Sequence, residues 1–181
     1  MASMVGNPAK LGGTAIGTSQ STGEVSLNDV IEGSGCYCLN EKADKPWRNL
    51  ISGGGAALPL ESDADEQLLL HFTFRQTVKL SSIDFGLPEN DSCPQTIKLF
   101  LNTNNLGFDD ASSNKPVEQF EIDDEELSKF TFKVKPVKWS RVESITIFVE
   151  DNHGNDISSL VSINFNGVTI QGTNVADIGP C

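Results

Sequence analysis

The chain has 181 residues, enough for one domain with tails. Acidic residues outnumber basic ones 25 to 13, giving a net charge of −12. Such a field repels phosphate backbones and anionic membrane surfaces, so neither nucleic acid nor membrane is expected as a partner. The 38% apolar content includes no run of the ~20 residues that a helical bilayer crossing needs. No secretory h-region opens the chain, so intracellular residence, in cytoplasm and nucleus, is the expectation, with reduced thiols.

Residues 1–24 are rich in Gly, Ser and Thr and read as a flexible linker. Residues 25–173 read as the folded domain and 174–181 as a C-terminal tail. Val25–Ile31 reads as a short opening helix, with Ser26 as N-cap and Val25, Leu27, Val30 and Ile31 on its apolar side. Cys36 to Gly55 is irregular. From Leu68 the period becomes two. Leu68, Leu70, Phe72 and Phe74 alternate with Leu69, His71, Thr73 and Arg75, and the first pairs are apolar on both sides, which predicts a strand buried on both faces. Val78–Leu80 and Ile83–Leu87 read as further strands after a polar break. Runs ending or centred on Leu99, Phe120, Phe132, Ile147 and Ile163 follow, with turn signals at 88–91, 102–105, 115–116 and 151–155. Asp123–Leu127 reads as one helical turn with Asp123 as N-cap. About eight short strands with polar turns and no long helix predict an all-β antiparallel sandwich.

Chemistry-bearing residues are sparse. Cys36 and Cys38 form C-x-C, a spacing open to a redox pair or a soft-metal site. No basic neighbour favours the thiolates, however, and neither His71 nor His153 stands at a ligand spacing, so structural thiols are the plainer reading. Cys93 and Cys181, in a turn and at the terminus, read as free and exposed. Glu61, Asp63, Asp65 and Glu66 cluster just before the first long strand. They could hold a hard cation, but the EF-hand pattern is absent, and an acidic surface loop is the alternative. No nucleophile elbow, zinc-protease or phosphate-loop motif occurs, so no enzyme activity is expected, and no cofactor or metal. His71 reads as a satisfied core or edge histidine. Trp47 and Trp139 read as closing the ends of the sandwich.

Two strings are distinctive: GCYCLNE at Gly35–Glu41 and LESDADEQLL at Leu60–Leu69. With TIKLFL at Thr96–Leu101 and SITIFV at Ser144–Val149, in this order, they resemble the PITH domain (proteasome-interacting thioredoxin domain) from about Val25 to Thr173. The resemblance implies a jelly-roll β-sandwich of the galactose-binding-like type and association with the 26S proteasome regulatory particle. It also implies that any redox chemistry belongs to a covalently linked thioredoxin domain. This chain has no Trp-Cys-Gly-Pro-Cys string, only a terminal Gly179-Pro180-Cys181. The expected role is a monomeric, non-catalytic interaction module, with Glu61, Asp63, Asp65 and Glu66 as the exposed patch. Two alternatives stand beside it: a carbohydrate or small-ligand binding sandwich, and a redox-responsive adaptor using Cys36 and Cys38.

Overall fold

The computed structural model describes residues 23–170, apart from 124 and 127. The linker reading of 1–22 and the tail from Gln171, including Cys181, lie outside the described residues. So does part of the expected turn at Asp123–Leu127, of which the Glu126 N–H to Asp123 carbonyl bond is seen, at 3.0 Å.

One strand organises the fold. β4 (Leu68–Gly86) runs for 19 residues, far beyond the usual ~5–6. Its first half lies between β2 (Tyr37–Leu39) and β8 (Val142–Val149), and its second half between β10 (Ser162–Thr169) and β7 (Lys129–Lys133). Pairing with β8 lapses between Thr73 and Val78, where Arg75 and Gln76 are exposed. The polar break read as a gap between strands is therefore a bend within one strand. Polar residues that face water there can stay extended while the strand passes from one layer to the other.

The sheet continues through β5 (Thr96–Leu101) to β6 (Glu118–Glu121) on one side, and through β10 to β1 (Val25–Ser26) on the other. All its pairings are antiparallel. Curled in this way, it encloses Leu68, Leu70, Phe72, Ile83, Phe85, Ile97, Leu99, Ile145, Ile147 and Phe165 in one core. Phe72 and Phe74 each meet Phe165 edge-on, at 5.2 and 5.5 Å between centroids. A two-stranded ribbon, β3 (Leu60–Glu61) with β9 (Ser159–Leu160), lies beside the sheet.

The expected opening helix is instead β1 followed by a single 3₁₀ turn at Asn28–Val30. Leu27 and Ile31 are buried as the apolar spacing suggested, but long-range bonds set the backbone. The Leu27 N–H donates to the Phe165 carbonyl at 2.7 Å, and the Asn28 side chain bonds Ile163 O and Phe165 N–H.

The α-helix of the described residues lies mid-chain: α1, Phe108–Ser113. Asp110 accepts the Gly107 N–H at 3.0 Å and closes its first turn. α1 and Leu106 cover the outer face of β4, β5 and β8, against Leu69, Phe100 and Phe148. That cover explains why the first half of β4 is apolar on both faces.

Trp47 and Trp139 are both buried. Cys93, expected to be exposed, is only 6% accessible and packs into the main core. Its turn residues are polar, but the turn folds back on the sandwich, and burial pushes the thiol up to about 11.

Candidate functional site

The two distinctive strings clasp one another. β2 carries Cys38 and Leu39 alongside Leu70 and Leu69 of β4, which brings Asn40 against the loop that leads into β4. Asn40 adopts the left-handed conformation, φ 69°, which Asn tolerates better than most residues. From there its carbonyl accepts the Asp63 N–H at 2.8 Å and its side-chain oxygen accepts the Ala64 N–H at 3.0 Å. Its amide donates to Asp65 Oδ1 at 2.9 Å and to the Gln67 carbonyl at 2.7 Å. Asp65 Oδ1 also accepts the Gln67 N–H at 3.0 Å. One asparagine therefore shapes the Asp63–Gln67 part of the acidic loop.

The four acids read as one patch divide by role. Glu61 accepts from Lys42 and Lys45, at 3.1 and 2.9 Å, with its side chain 19% exposed. Burial pushes its carboxyl up, but the hydrogen bonds and charges of Lys45 and Lys42 outweigh burial and hold it below the usual carboxylate range. Asp65 pins the loop internally. Asp63 is exposed and Glu66 half-exposed, and neither accepts a side-chain hydrogen bond or ion pair among the described residues. Ser62, between Glu61 and Asp63, is fully buried; it donates its N–H to the Ser158 carbonyl and its hydroxyl accepts the Ser158 N–H.

The Ser158 contact brings in the turn at 151–155. Asn152 bonds Ile157 O and Ser158 Oγ through its amide and accepts from the N–H groups of Gly154 and Asn155. The loop so held faces the acidic loop across an open cleft of about 570 Å³, lined by Asp65, Glu66, Asp151, Asn152 and Asp156 among others. The acidic rim is therefore larger than the linear cluster. The Asn152-His153-Gly154-Asn155 turn signal was legible, but the meeting of Ser158, which Asn152 bonds, with Ser62, 96 residues earlier, was not. Among the described residues no group of three or more His, Cys, Asp and Glu side chains is arranged to hold a metal ion.

Cys36 and Cys38 are free thiols beside the main core. Cys36 Sγ donates to the Glu32 carbonyl and Cys38 Sγ to its neighbour's carbonyl, Leu39 O. Burial pushes both thiols up, which lowers thiolate content at neutral pH. His71 is 2% exposed on the outer face. It stacks on Tyr37 at 4.9 Å, and its Nδ1 lies 2.8 Å from the Thr146 hydroxyl. Sugar sites commonly present an exposed aromatic platform, but here both tryptophans are buried and the single tyrosine is stacked on His71.

The curled antiparallel sheet with its ribbon and loop rim defines a galactose-binding-like β-sandwich. It superposes on the family 32 carbohydrate-binding module of Clostridium perfringens NanJ, solved with galactose. The TM-score is 0.60 at 14% identity, over 79% of this chain and 98% of that one. It also superposes on the C-terminal domain of a Bacteroides fragilis chitobiase, with TM-score 0.57 at 14% identity, over 81% and 100%. Identities this low speak for the fold alone.

Within that class the chain belongs to the PITH domain family, whose pattern matches residues 17–179. It is 33% identical to thioredoxin-like protein 1 of Schizosaccharomyces pombe, over 85% of this chain and 56% of that protein. It is 30% identical to the PITH domain-containing protein CG6153 of Drosophila melanogaster, over 80% and 70%. It is 31% identical to PITH domain-containing protein 1 of Danio rerio, over 72% and 63%. The chain thus spans a little over half the length of the first relative and under two-thirds of the third.

Proposed function

We propose that this chain is a non-catalytic docking module that associates with the regulatory particle of the 26S proteasome, in cytoplasm and nucleus, as part or relative of a thioredoxin-like protein. The observation that carries the reading is the clasp. The two strings that mark the family are spent on holding one loop rigid, and that loop presents Asp63 and Glu66 to solvent beside Asp156. A rigid, charged rim suits recognition, because little conformational entropy is lost when it docks, and its field steers encounter with a basic surface.

The test is capture from cytosol with the full chain as bait, read by mass spectrometry. Regulatory-particle subunits should be enriched. Asp63→Lys with Glu66→Lys should reduce that enrichment with folding intact, since neither side chain braces the loop. A folded bait that captures none of these subunits refutes the reading.

A further inference from the structure

A second surface stands out against the net charge of −12. Residues 129–141 contain Lys129, Lys133, Lys135, Lys138 and Arg141, five of the chain's 13 basic residues, and no acid. All five are exposed. The one ion pair they make among the described residues is a long one, Lys138 to Glu118 at 3.9 Å. Val137, in the turn between Lys135 and Lys138, is 90% exposed.

The first part of this segment is β7, an edge strand that pairs only with β4 among the described residues. The Leu87 N–H donates to Ser128 O, and the Val134 N–H to Ser81 O. In an antiparallel ladder hydrogen-bonded positions alternate, so Phe130 and Phe132 carry the bonds to β4 between those two. The N–H and C=O groups of Lys129, Thr131 and Lys133 therefore point away from the sheet. The side chains alternate as well: Lys129, Thr131 and Lys133 are exposed, while Phe130 and Phe132 are half-buried and stack on Phe120 at 5.2 and 4.6 Å.

We propose that the free edge of β7 accepts an extended segment of a partner protein as an added strand, one whose residues alternate between acidic and apolar. Its backbone would pair with Lys129, Thr131 and Lys133. Its acidic side chains would lie beside Lys129 and Lys133, and its apolar ones over the edges of Phe130 and Phe132. Val137 with Lys135 and Lys138 extends the same pairing of charge and apolar surface past the strand. Lysines also guard edges against unwanted pairing; a merely guarded edge would bind no strand, which makes the two roles separable. This inference is independent of the proteasome reading.

The probe is a short, end-blocked peptide alternating Glu and Val, titrated into the isotope-labelled full chain, with a Lys/Val peptide as control. The Glu/Val peptide should shift and protect the amides of Lys129, Thr131 and Lys133. Lys129→Gln with Lys133→Gln, which remove both charges at exposed positions without adding acids beside Asp84, should weaken binding about tenfold or more. Thr131→Pro removes one outward N–H and the hydroxyl bond to Asp84 but no ladder bond, and should also abolish pairing. Absence of binding, shifts on another edge, or binding indifferent to the lysines would each overturn the proposal.

Discussion

Asn40 shows how much one side chain settles at the loop end. Asn40→Ala loses the amide bonds to Ala64, Asp65 and Gln67 and also puts at φ 69° a residue that tolerates the left-handed region less well than Asn. Asn40→Gly loses the same bonds without the backbone strain. The alanine variant should lose about 2–3 kcal/mol and the glycine variant about 1 kcal/mol less, measured by denaturant unfolding. Equal losses would mean that the backbone conformation contributes nothing. His71 makes a second test. Burial holds its imidazole below the ordinary 6.5, so the unfolded chain takes up a proton that the folded chain refuses. Stability is then full above about pH 6.5 and declines as pH falls from there toward the lowered folded value. The slope should flatten in His71→Asn. Glu61, and Asp84 of β4, which burial pushes up but the hydrogen bonds of Thr131 and Asn166 hold down, lose their contribution only in a lower window, beneath 4.5 and 3.8. Thermal midpoints against pH for both proteins separate the windows.

At the level of elements, β10 passes β4 with a register shift between Asn166 and Gly167, where Ser82 and Leu80 are the successive partners and Ser81 is the extra residue. A β-carbon on Gly167 would lie 2.0 Å from the Lys79 carbonyl oxygen and 3.0 Å from Leu80 Cα. Backbone cannot yield as a side-chain tip can, so Gly167→Ala should cost more than about 2 kcal/mol; a near-neutral unfolding midpoint would show that the bulge relaxes. Strands buried on one or both faces were legible because period two records burial, as Leu68–Phe74 and Ile145–Val149 show. α1 was not: six residues give less than two turns of period, and only Phe108 with Ala111 and the acids of its first turn hint at it. The β3–β9 ribbon is two residues a side, too short for any pattern. Of the candidate site, the acids were visible, but Glu61 with its lysines, and Asp151 and Asp156 across the cleft, depend on contacts between distant segments. The alternation of Lys and Phe in β7 was readable as a strand, whereas its open edge follows only from the order of strands.

At the level of the whole molecule the charge is divided rather than uniform. The acidic rim leads into β4, while the basic stretch lies along and beyond its second half. Two partners, or two parts of one partner, with opposite charge can therefore engage without competing for a surface.

The strand that both layers share also has a kinetic meaning. A sandwich of two separately closed sheets can open one while keeping the other. Here β4 takes hydrogen bonds from β2 and β8 in one layer and from β10 and β7 in the other, so neither layer can melt away from it and remain closed. Amide protons of Leu69–Phe72 and of Leu80–Phe85 should exchange with solvent water at one common slow rate under native conditions, set by global opening, while those of β1 exchange faster. Two distinct slow rates in the two halves of β4 would show that the layers open independently. With so much of its pairing between residues far apart in sequence, such a chain should also fold slowly for its size and do so all at once.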